Sequence, residues 1–326
     1  MRIRMNSIVT FAAVFAIVTA TLLAVGQGAP QAPAGQQPAA GAAGAGRGGA
    51  GGRGGGGGRG AGAPAVPAGP VPRLSNGKPD LSGHWTNPYT PDMAAGMSVV
   101  DPQTKMPLVF PRKGEALPDA KPSATGRGAR TYDLPYTAWG LKQWKEYDPV
   151  HNGDYAGTCM PFGMSRSVNS PHGVQLVHSN DALAMLWEQN TWFHFVPIAP
   201  NPLKWPADLP EAWNGYSTGK WDGDTLIIET KNFNGYTKLD TAGHPHSKQV
   251  VFTNTFLRTD SQTIQHTVTV HDPQTFTMDW MNVRTWRLKA PTDVIMEYSC
   301  EENNGGINDG SITPWKRPTD EELSGK

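Results

Sequence analysis

The segment YSTGKWDGDTLIIET, residues 216–230, has the pattern of a β-hairpin and decides the fold class of this 326-residue chain. Its centre, Asp222-Gly223, supplies the positive φ angles that a tight two-residue turn requires. On both sides of this turn, apolar residues alternate with polar ones or residues branched at Cβ recur, as is usual in strands. We therefore predict two antiparallel strands, at residues 216–221 and 224–230.

Similar strand patterns lie on both sides of the hairpin, joined by short polar turns. About nine or ten antiparallel strands in this arrangement predict a mainly β fold, an up-and-down barrel, because closure of the sheet removes its exposed edges. One short helix is predicted at residues 134–147, and a long irregular excursion at residues 87–130. The further strands are predicted near Gly83-His84-Trp85 and at residues 173–178, 182–187, 191–198, 249–259, 263–270, 280–289 and 294–300.

The first residues have the composition of an export signal. Basic residues at the start precede an apolar run from Ile8 to Val25, and Ala24-Val25-Gly26 offers small residues for cleavage. This pattern predicts a signal peptide over residues 1–28. An uncleaved anchor is the alternative, since the run is near the lower length limit for a membrane span. We expect a periplasmic or secreted protein without stable membrane insertion after signal cleavage.

The domain boundaries follow from changes in composition. Residues 29–71 are almost entirely Gly, Ala, Pro and Gln, which bury too little apolar surface to fold, so we predict a disordered linker. The barrel domain is predicted at residues 72–305, followed by a flexible tail at residues 306–326. The 28 basic and 28 acidic residues give a formal net charge of zero, which argues against a nucleic-acid partner.

Cys159 and Cys300 are the two cysteines of the chain. In an oxidising compartment such a pair is usually bridged, so we predict a disulfide that stabilises the fold by about 4–5 kcal/mol. Two separately buried thiols are the alternative. No CxxC motif is present, so neither a zinc knuckle nor a redox pair is indicated.

The loop at residues 232–247 gathers most of the groups that could perform chemistry. Asp240 and His246 could form a general acid–base pair, with a carboxylate that orients an imidazole. The alternative is structural: Asp240 caps a turn and His246 bonds loop backbone. We expect no cofactor and no metal; His244 with His246 is the alternative metal pair, which would need a third ligand from elsewhere. The chain has no Gly-x-Ser-x-Gly motif, so a serine hydrolase is not indicated.

Several polar residues in or beside the strand patterns could converge inside a barrel and form a ligand cavity with a polar floor. The alternative for each residue is a purely structural role, in which the side chain is hydrogen-bonded inside the protein or faces solvent. The candidates for ligand binding are Glu229, Asn232, Asn234, His266, Arg284 and Glu297.

Two resemblances support the barrel. Gly83-His84-Trp85 resembles the Gly-x-Trp signature of lipocalins and other calycins, in which the Trp packs against an Arg from a late strand; Arg284 or Arg287 could supply it. A second resemblance rests on the segments DLSGHW (80–85), CMPFGMSR (159–166), GKWDGDTLIIETKNFN (219–234), LD (239–240), GHPHS (243–247) and EYSCEEN (297–303). With these segments the chain resembles, over residues 80–305, a family of mostly uncharacterised secreted bacterial proteins with a lipocalin-like barrel, which implies a fold but no activity.

These observations lead to two functional hypotheses and a weaker third. The first is a β-barrel that binds a small apolar or aromatic molecule. The second is a hydrolase, lyase or isomerase on the same barrel, with Asp240 and His246 in acid–base roles and Arg284 stabilising developing negative charge. The third is a structural envelope protein tethered by its Gly-rich arm. The sequence leaves open whether the protein is an enzyme, and it leaves the oligomeric state open.

Overall fold

The computed structural model describes residues 68–94, 97–100, 107–109, 134–201, 203–302 and 304–324. The predicted signal peptide, nearly all of the predicted linker and most of the predicted excursion at residues 87–130 lie outside these ranges. The described strands are β1 Gly83–Thr86, β2 Met97–Val100, β3 Pro107–Val109, β4 Val174–His178, β5 Ala182–Trp187, β6 Phe193–Pro197, β7 Tyr216–Asp222, β8 Thr225–Lys231, β9 Val251–Asp260, β10 Thr263–His271 and β11 Trp280–Leu288. The α-helices are α1 Ala138–Glu146, α2 Gly163–Val168, α3 Gly305–Asp309 and α4 Asp320–Ser324, and a short 3-10 helix spans Gln189–Thr191.

Nine of these strands form a nearly closed up-and-down barrel, as predicted. Their order is β6-β5-β4-β1-β11-β10-β9-β8-β7, and each strand is antiparallel to its neighbours. β2 pairs with β11 and with β3 outside this path. Because consecutive strands along the chain pair with each other in two meanders, short turns account for most of the connections.

The barrel closes where β6 meets β7. Nine strands with antiparallel neighbours leave the first and the last running in the same direction, so these two can meet only in parallel. They do so at a bridge between Ile198 and Gly219, where the amide of Ala199 donates to the Gly219 carbonyl at 3.0 Å. A Cβ on Gly219 would lie 3.0 Å from Ile198 Cγ1 and 3.2 Å from Val196 Cγ1, so a residue without a side chain permits the close approach.

The hairpin of residues 216–230 is confirmed, with a shift of one residue at its turn. Asp222 pairs with Thr225, so the two turn residues are Gly223 and Asp224. Only Gly223 has a positive φ, +56°, and a glycine at the first turn position suits the type II′ geometry. The expectation of Asp222-Gly223 at the centre of the turn is therefore wrong by one position.

The interior of the barrel is filled by side chains. Buried and more exposed residues alternate along the strands, as in a sheet with one buried face. Large side chains with almost no exposure, among them Trp85, Phe256, Trp280 and Trp286, occupy the centre. A β-barrel of this size has an interior just wide enough for side chains to fill it.

The packing partner of Trp85 differs from the expectation. The Arg258 guanidinium of β9 lies 4.9 Å from the ring centre of Trp85, so neither Arg284 nor Arg287 takes this position. Trp85 pairs with Leu288 at the end of β11. Arg284 lies four residues away along that strand, a distance of about 13 Å, and Arg287 is exposed.

The C-terminal part of the chain departs from the sequence-based expectation in two ways. The strand predicted at residues 294–300 does not form, because β1 already occupies the edge of β11; residues 294–299 have no regular structure and Cys300 lies in a turn. Residues 306–324, the described part of the flexible tail predicted at residues 306–326, pack on the barrel domain: Leu323 is buried, and Trp315 contacts the rings of Tyr155 and Trp213. Cys159 and Cys300 form the predicted disulfide.

The predicted helix is present but shorter, since α1 begins after Thr137, whose hydroxyl caps it by accepting from the amide of Gly140 at 3.1 Å. The other three α-helices, each of five or six residues, were not predicted. Among the described residues, no helix combines the length and the apolarity that crossing a membrane requires.

Candidate functional site

The loop at residues 232–247 is folded against the barrel, and Asp240 lies fully buried within it. The Asp240 carboxylate accepts three backbone N–H groups, from Met93 at 2.6 Å, Gly243 at 3.1 Å and His244 at 3.2 Å. Burial raises the pKa of Asp240 above its usual range, while His244 and the backbone donors oppose the shift. This is the turn-capping geometry that the sequence offered as the structural alternative for Asp240.

His244 is the imidazole at the centre of a buried hydrogen-bonded group. Its Nε2 lies 2.8 Å from Asp92 Oδ1 and 3.9 Å from Asp240 Oδ2, and its Nδ1 lies 2.5 Å from the Tyr136 hydroxyl. The ring stacks on Trp144 with 4.9 Å between ring centres. The imidazole therefore joins a phenol to a carboxylate, an arrangement that can move a proton between them.

The sequence did not identify Asp92 or Tyr136 as members of this group. Asp92 lies inside the segment at residues 87–130, where the strand and helix patterns are weak, and Tyr136 lies at the start of the predicted helix that follows it, so no spacing rule linked either residue to His244. A separation of 152 residues between Asp92 and His244 leaves no local signal.

His246 is held by different partners. Its Nδ1–H donates to the Ser247 carbonyl at 3.0 Å, so its Nε2 accepts from the Thr237 hydroxyl at 2.6 Å. Burial lowers the pKa of His246, which keeps the ring neutral. The structure therefore pairs Asp240 with His244, whereas the sequence analysis paired Asp240 with His246.

No metal was expected from the sequence, but the structure groups three residues that could hold one, a different set from the alternative pair His244 and His246. The ligand atoms of Asp92, Asp240 and His244 all lie within 4.8 Å of one another. Two carboxylates and one imidazole suit Zn²⁺, Mn²⁺ or Fe²⁺. His246 is not a member, because its Nε2 is directed at Thr237.

A groove of about 780 Å³ lies on the outer face of β7, β8 and β9, under the connection that leads from β6 to β7. Tyr216 and Thr218 face outward from β7, opposite Lys231 and Glu229 of β8. Trp205 of the connection lies over this surface, and its ring centre is 5.7 Å from that of Tyr216. The groove is lined by Leu203, Lys204, Trp205, Pro206, Ala207, Tyr216, Thr218, Glu229, Lys231, Asn232, Lys248, Gln249, Val250 and Val251.

Two of the predicted ligand-binding residues, Glu229 and Asn232, therefore line the same groove. Asn232 has a positive φ of 66°, which Asn tolerates better than most residues. Its side-chain amide donates to the carbonyls of Leu209 and Pro210, at 3.2 and 3.4 Å. Asn232 thus helps to hold the connection that covers the groove.

Two other predicted residues, His266 and Arg284, lie inside the barrel as a cross-strand pair. His266 stacks on Phe256 with 4.7 Å between ring centres, and its Nε2 lies 2.9 Å from Asn254 Oδ1. Burial, with a smaller contribution from Arg284, holds the pKa of His266 well below its usual range. The cavity beside Arg284 measures about 10 Å³, which is room for about one water-sized sphere.

The last two predicted residues lie apart from both places. Asn234 is buried in the loop, where its side-chain oxygen accepts the amide of Tyr236 at 3.1 Å. Glu297 is exposed in the irregular segment before Cys300. The six ligand candidates are thus divided among the groove, the barrel interior, the loop and the surface.

A further cleft of about 150 Å³ contains Lys238, which the sequence analysis did not single out. The Lys238 ammonium lies 5.7 Å from the ring centre of Tyr147, and Tyr236 and Trp315 also line the cleft. Burial lowers the pKa of Lys238 to about 8, although Asp154 opposes the shift. An amine with this pKa is nucleophilic near neutral pH.

No protein-family model, no curated protein and no solved structure matches this chain. The fold and the sites define a disulfide-linked, nearly closed up-and-down β-barrel with a covered groove on its outer face.

Proposed function

We propose that this chain is a periplasmic or secreted protein, related to the lipocalin-like barrels, that binds a small apolar or aromatic molecule in the groove beneath Trp205. The disulfide between Cys159 and Cys300 supports an oxidising compartment, where such bonds form and persist. The strand order supports the lipocalin-like relationship. The groove itself is the observation that carries the binding function.

The groove has the size and the lining of a small-molecule site. Its volume of about 780 Å³ lies inside the range of about 300–1,000 Å³ that is usual for ligand pockets. Trp205 and Tyr216 supply flat apolar surface with few rotatable bonds, so little side-chain entropy is lost when a ligand packs on them. Glu229 and Lys231 lie 3.2 Å apart at the floor and offer polar contacts for one end of a ligand.

Hydrogen bonds hold the connection that covers the groove in place. The Tyr216 hydroxyl donates to the Pro210 carbonyl at 3.0 Å, and Asn232 donates to the same segment. The amide of Ala212 donates to the Asn232 carbonyl at 3.1 Å. Because the cover is tied to β7 and to the end of β8, less ordering has to be supplied on binding.

The barrel interior is a poor alternative location for this ligand. The cavity beside Arg284 is about 10 Å³, far below the volume of an aromatic ring. A ligand in the interior would have to displace Trp85 or Trp286, which are fully buried. The binding function is therefore assigned to the outer face.

Binding can be tested on the chain without residues 1–67, because every described contact lies beyond them. A panel of apolar and aromatic compounds is screened by thermal shift, and the best compounds are titrated by calorimetry. We expect Trp205→Ala to weaken binding at least 10-fold, and Phe195→Ala to leave it unchanged. Phe195 is the matched control because it is an exposed aromatic residue, 56% accessible, on the outer face of β6. Equal affinity of the Trp205→Ala variant and the parent would contradict the assignment.

A second function is favoured by one observation, the hydrogen-bonded series Tyr136–His244–Asp92. A phenol bonded to an imidazole whose other nitrogen bonds a carboxylate can act as a general base or acid in a hydrolase, lyase or isomerase. In this function His244 replaces His246 as the catalytic imidazole. His244→Gln would then abolish turnover of any substrate found and leave affinity in the groove unchanged, whereas a pure binder would show no turnover in either form.

A further inference from the structure

Arg284 is a charged side chain inside the barrel with most of its hydrogen-bonding groups unused. It is 5% exposed, and its Nε donates to Asn282 Oδ1 at 3.1 Å. Its two terminal nitrogens, Nη1 and Nη2, have no hydrogen-bond partner among the described residues. An unpaired guanidinium in a protein interior is costly, so the structure calls for a compensating group.

A second unused donor lies beside the same cavity. Asn254 of β9 accepts from His266 through its Oδ1, and this bond directs the amide so that Nδ2 is the free end. Nδ2 has no hydrogen-bond partner within the described part of the chain. Arg284 and Asn254 both line the cavity of about 10 Å³. Three buried N–H-bearing atoms thus border a space of about one water-sized sphere.

The charge of Arg284 is not neutralised by a directly bonded carboxylate among the described residues. Asp240 is the acidic group whose charge acts on Arg284. The Asp240 oxygens, however, are occupied by the backbone amides of Met93, Gly243 and His244. No ion pair of Arg284 with Asp or Glu occurs in the described ranges.

One feature of the cavity favours a water molecule over an anion, and that is the side-chain oxygen of Asn169. Its Oδ1 lies at the same cavity without a hydrogen-bond partner in the described residues, while its Nδ2 donates to the Leu239 carbonyl at 2.7 Å. A water molecule could donate to this oxygen and accept from Arg284, but it would leave the positive charge uncompensated. An anion satisfies the three donors and the charge together, at the expense of one acceptor.

We propose that the barrel interior binds one halide-sized anion, chloride under physiological conditions, between the Arg284 guanidinium and the Asn254 amide. The volume excludes sulfate, phosphate and carboxylate ligands, because each contains at least three heavy atoms, whereas a halide is a single atom. The walls contributed by Met164, Val168 and Val268 are apolar and shield the ion from solvent. The anion links β9 to β11 and stabilises the folded state, and it is independent of the groove on the outer face.

The first test compares thermal unfolding in sodium chloride and in sodium gluconate at equal ionic strength. Gluconate is too large for the cavity, so only chloride should stabilise. We expect Tm to rise with the logarithm of the chloride concentration above its Kd, by about 5–10 °C when chloride exceeds its Kd about 100-fold. Arg284→Met should abolish this dependence on chloride. Arg287→Met is the matched control, since Arg287 is exposed on the same strand, and it should retain the dependence.

The second test needs no variant, so it stands even if Arg284→Met fails to fold. Crystals of the parent protein grown in sodium bromide should show one anomalous peak within hydrogen-bonding distance of Arg284 and Asn254. Identical melting curves in chloride and gluconate, together with the absence of an anomalous peak in the barrel, would overturn the proposal and assign the cavity to water.

Discussion

The guanidinium of Arg258 lies 4.9 Å from the ring centre of Trp85, and this contact joins β9 to the start of the barrel. The same guanidinium donates to the carbonyls of Asp80 and Ser261, and the Trp85 indole donates to the Leu81 carbonyl at 2.9 Å. The Arg258–Trp85 pair therefore holds the segment that leads into β1 against the turn between β9 and β10.

Loss of this contact should destabilise the barrel. Arg258→Ala removes charged hydrogen bonds to three backbone carbonyls, those of Asp80, Asp260 and Ser261, and a cation–π contact, so we expect the free energy of unfolding to fall by about 3 kcal/mol. Urea denaturation followed by Trp fluorescence measures the change. Arg287→Ala, on the exposed face of β11, is the control and should change stability by less than about 1 kcal/mol. Equal effects of the two substitutions would show that Trp85 does not depend on Arg258.

The disulfide should account for a large part of the stability. Cys159 and Cys300 are 141 residues apart, and in the chain-entropy model their link contributes about 5 kcal/mol. The double variant Cys159→Ser, Cys300→Ser should therefore unfold at a lower urea concentration, and a reductant should shift the parent protein towards the same midpoint. If full reduction, checked by mass spectrometry of alkylated protein, leaves the midpoint unchanged, the disulfide is not a main source of stability.

The closure of the barrel should weaken in mild acid because of His194. This ring of β6 bonds the Ser217 hydroxyl of β7, and burial lowers its pKa from 6.5 to about 4. The unfolded chain therefore binds more protons than the folded protein between pH 6.5 and pH 4, so the stability contributed is complete above pH 6.5 and is lost as the pH falls to 4. The loss for this one group is about 3 kcal/mol.

Unfolding free energies measured across this pH range test the assignment. His194→Gln keeps a hydrogen-bonding side chain but cannot titrate, so its stability should fall less steeply between pH 6.5 and pH 4 than that of the parent. His271→Gln is the control, because His271 is exposed at the end of β10. The same slope for His194→Gln and the parent would contradict the buried, neutral state of His194.

Lys238 should be the most reactive lysine of the described chain. With a pKa of about 8 in place of 10.5, its neutral fraction at pH 7 is about 300-fold that of an ordinary lysine. A limiting amount of acetic anhydride, small enough for the cleft, should therefore acetylate Lys238 before the exposed Lys220, as read by peptide mass spectrometry. Modification of Lys238 no faster than of Lys220 would contradict the lowered pKa or the accessibility of the amine.

The fold was predictable from the sequence because the patterns that indicate its strands and turns involve residues close together in the chain. The hairpin of residues 216–230, the short turns and the strand alternation each depend on near neighbours, and together they gave the up-and-down barrel. The failed strand at residues 294–300 shows the limit of this approach. Its pattern suits a strand, but β1, far away in the sequence, already occupies the edge of β11.

The candidate sites were only partly predictable, since they depend on contacts between distant segments. Asp240 was identified from its loop, but its true neighbour is His244, and Asp92 joins from another part of the chain. Glu229 and Asn232 belong to the groove because the connection containing Trp205 covers them. No periodicity in that Pro-rich connection indicates where it lies.

The central claim is that a small apolar or aromatic molecule binds in the groove lined by Trp205 and Tyr216. The most direct measurement is a crystal structure of the protein with the tightest compound from the binding panel. We predict density for that compound in the groove, in contact with both rings and with a polar end near Glu229 or Asn232. Density for the compound in the Lys238 cleft or elsewhere, with the groove filled only by solvent, would contradict the account.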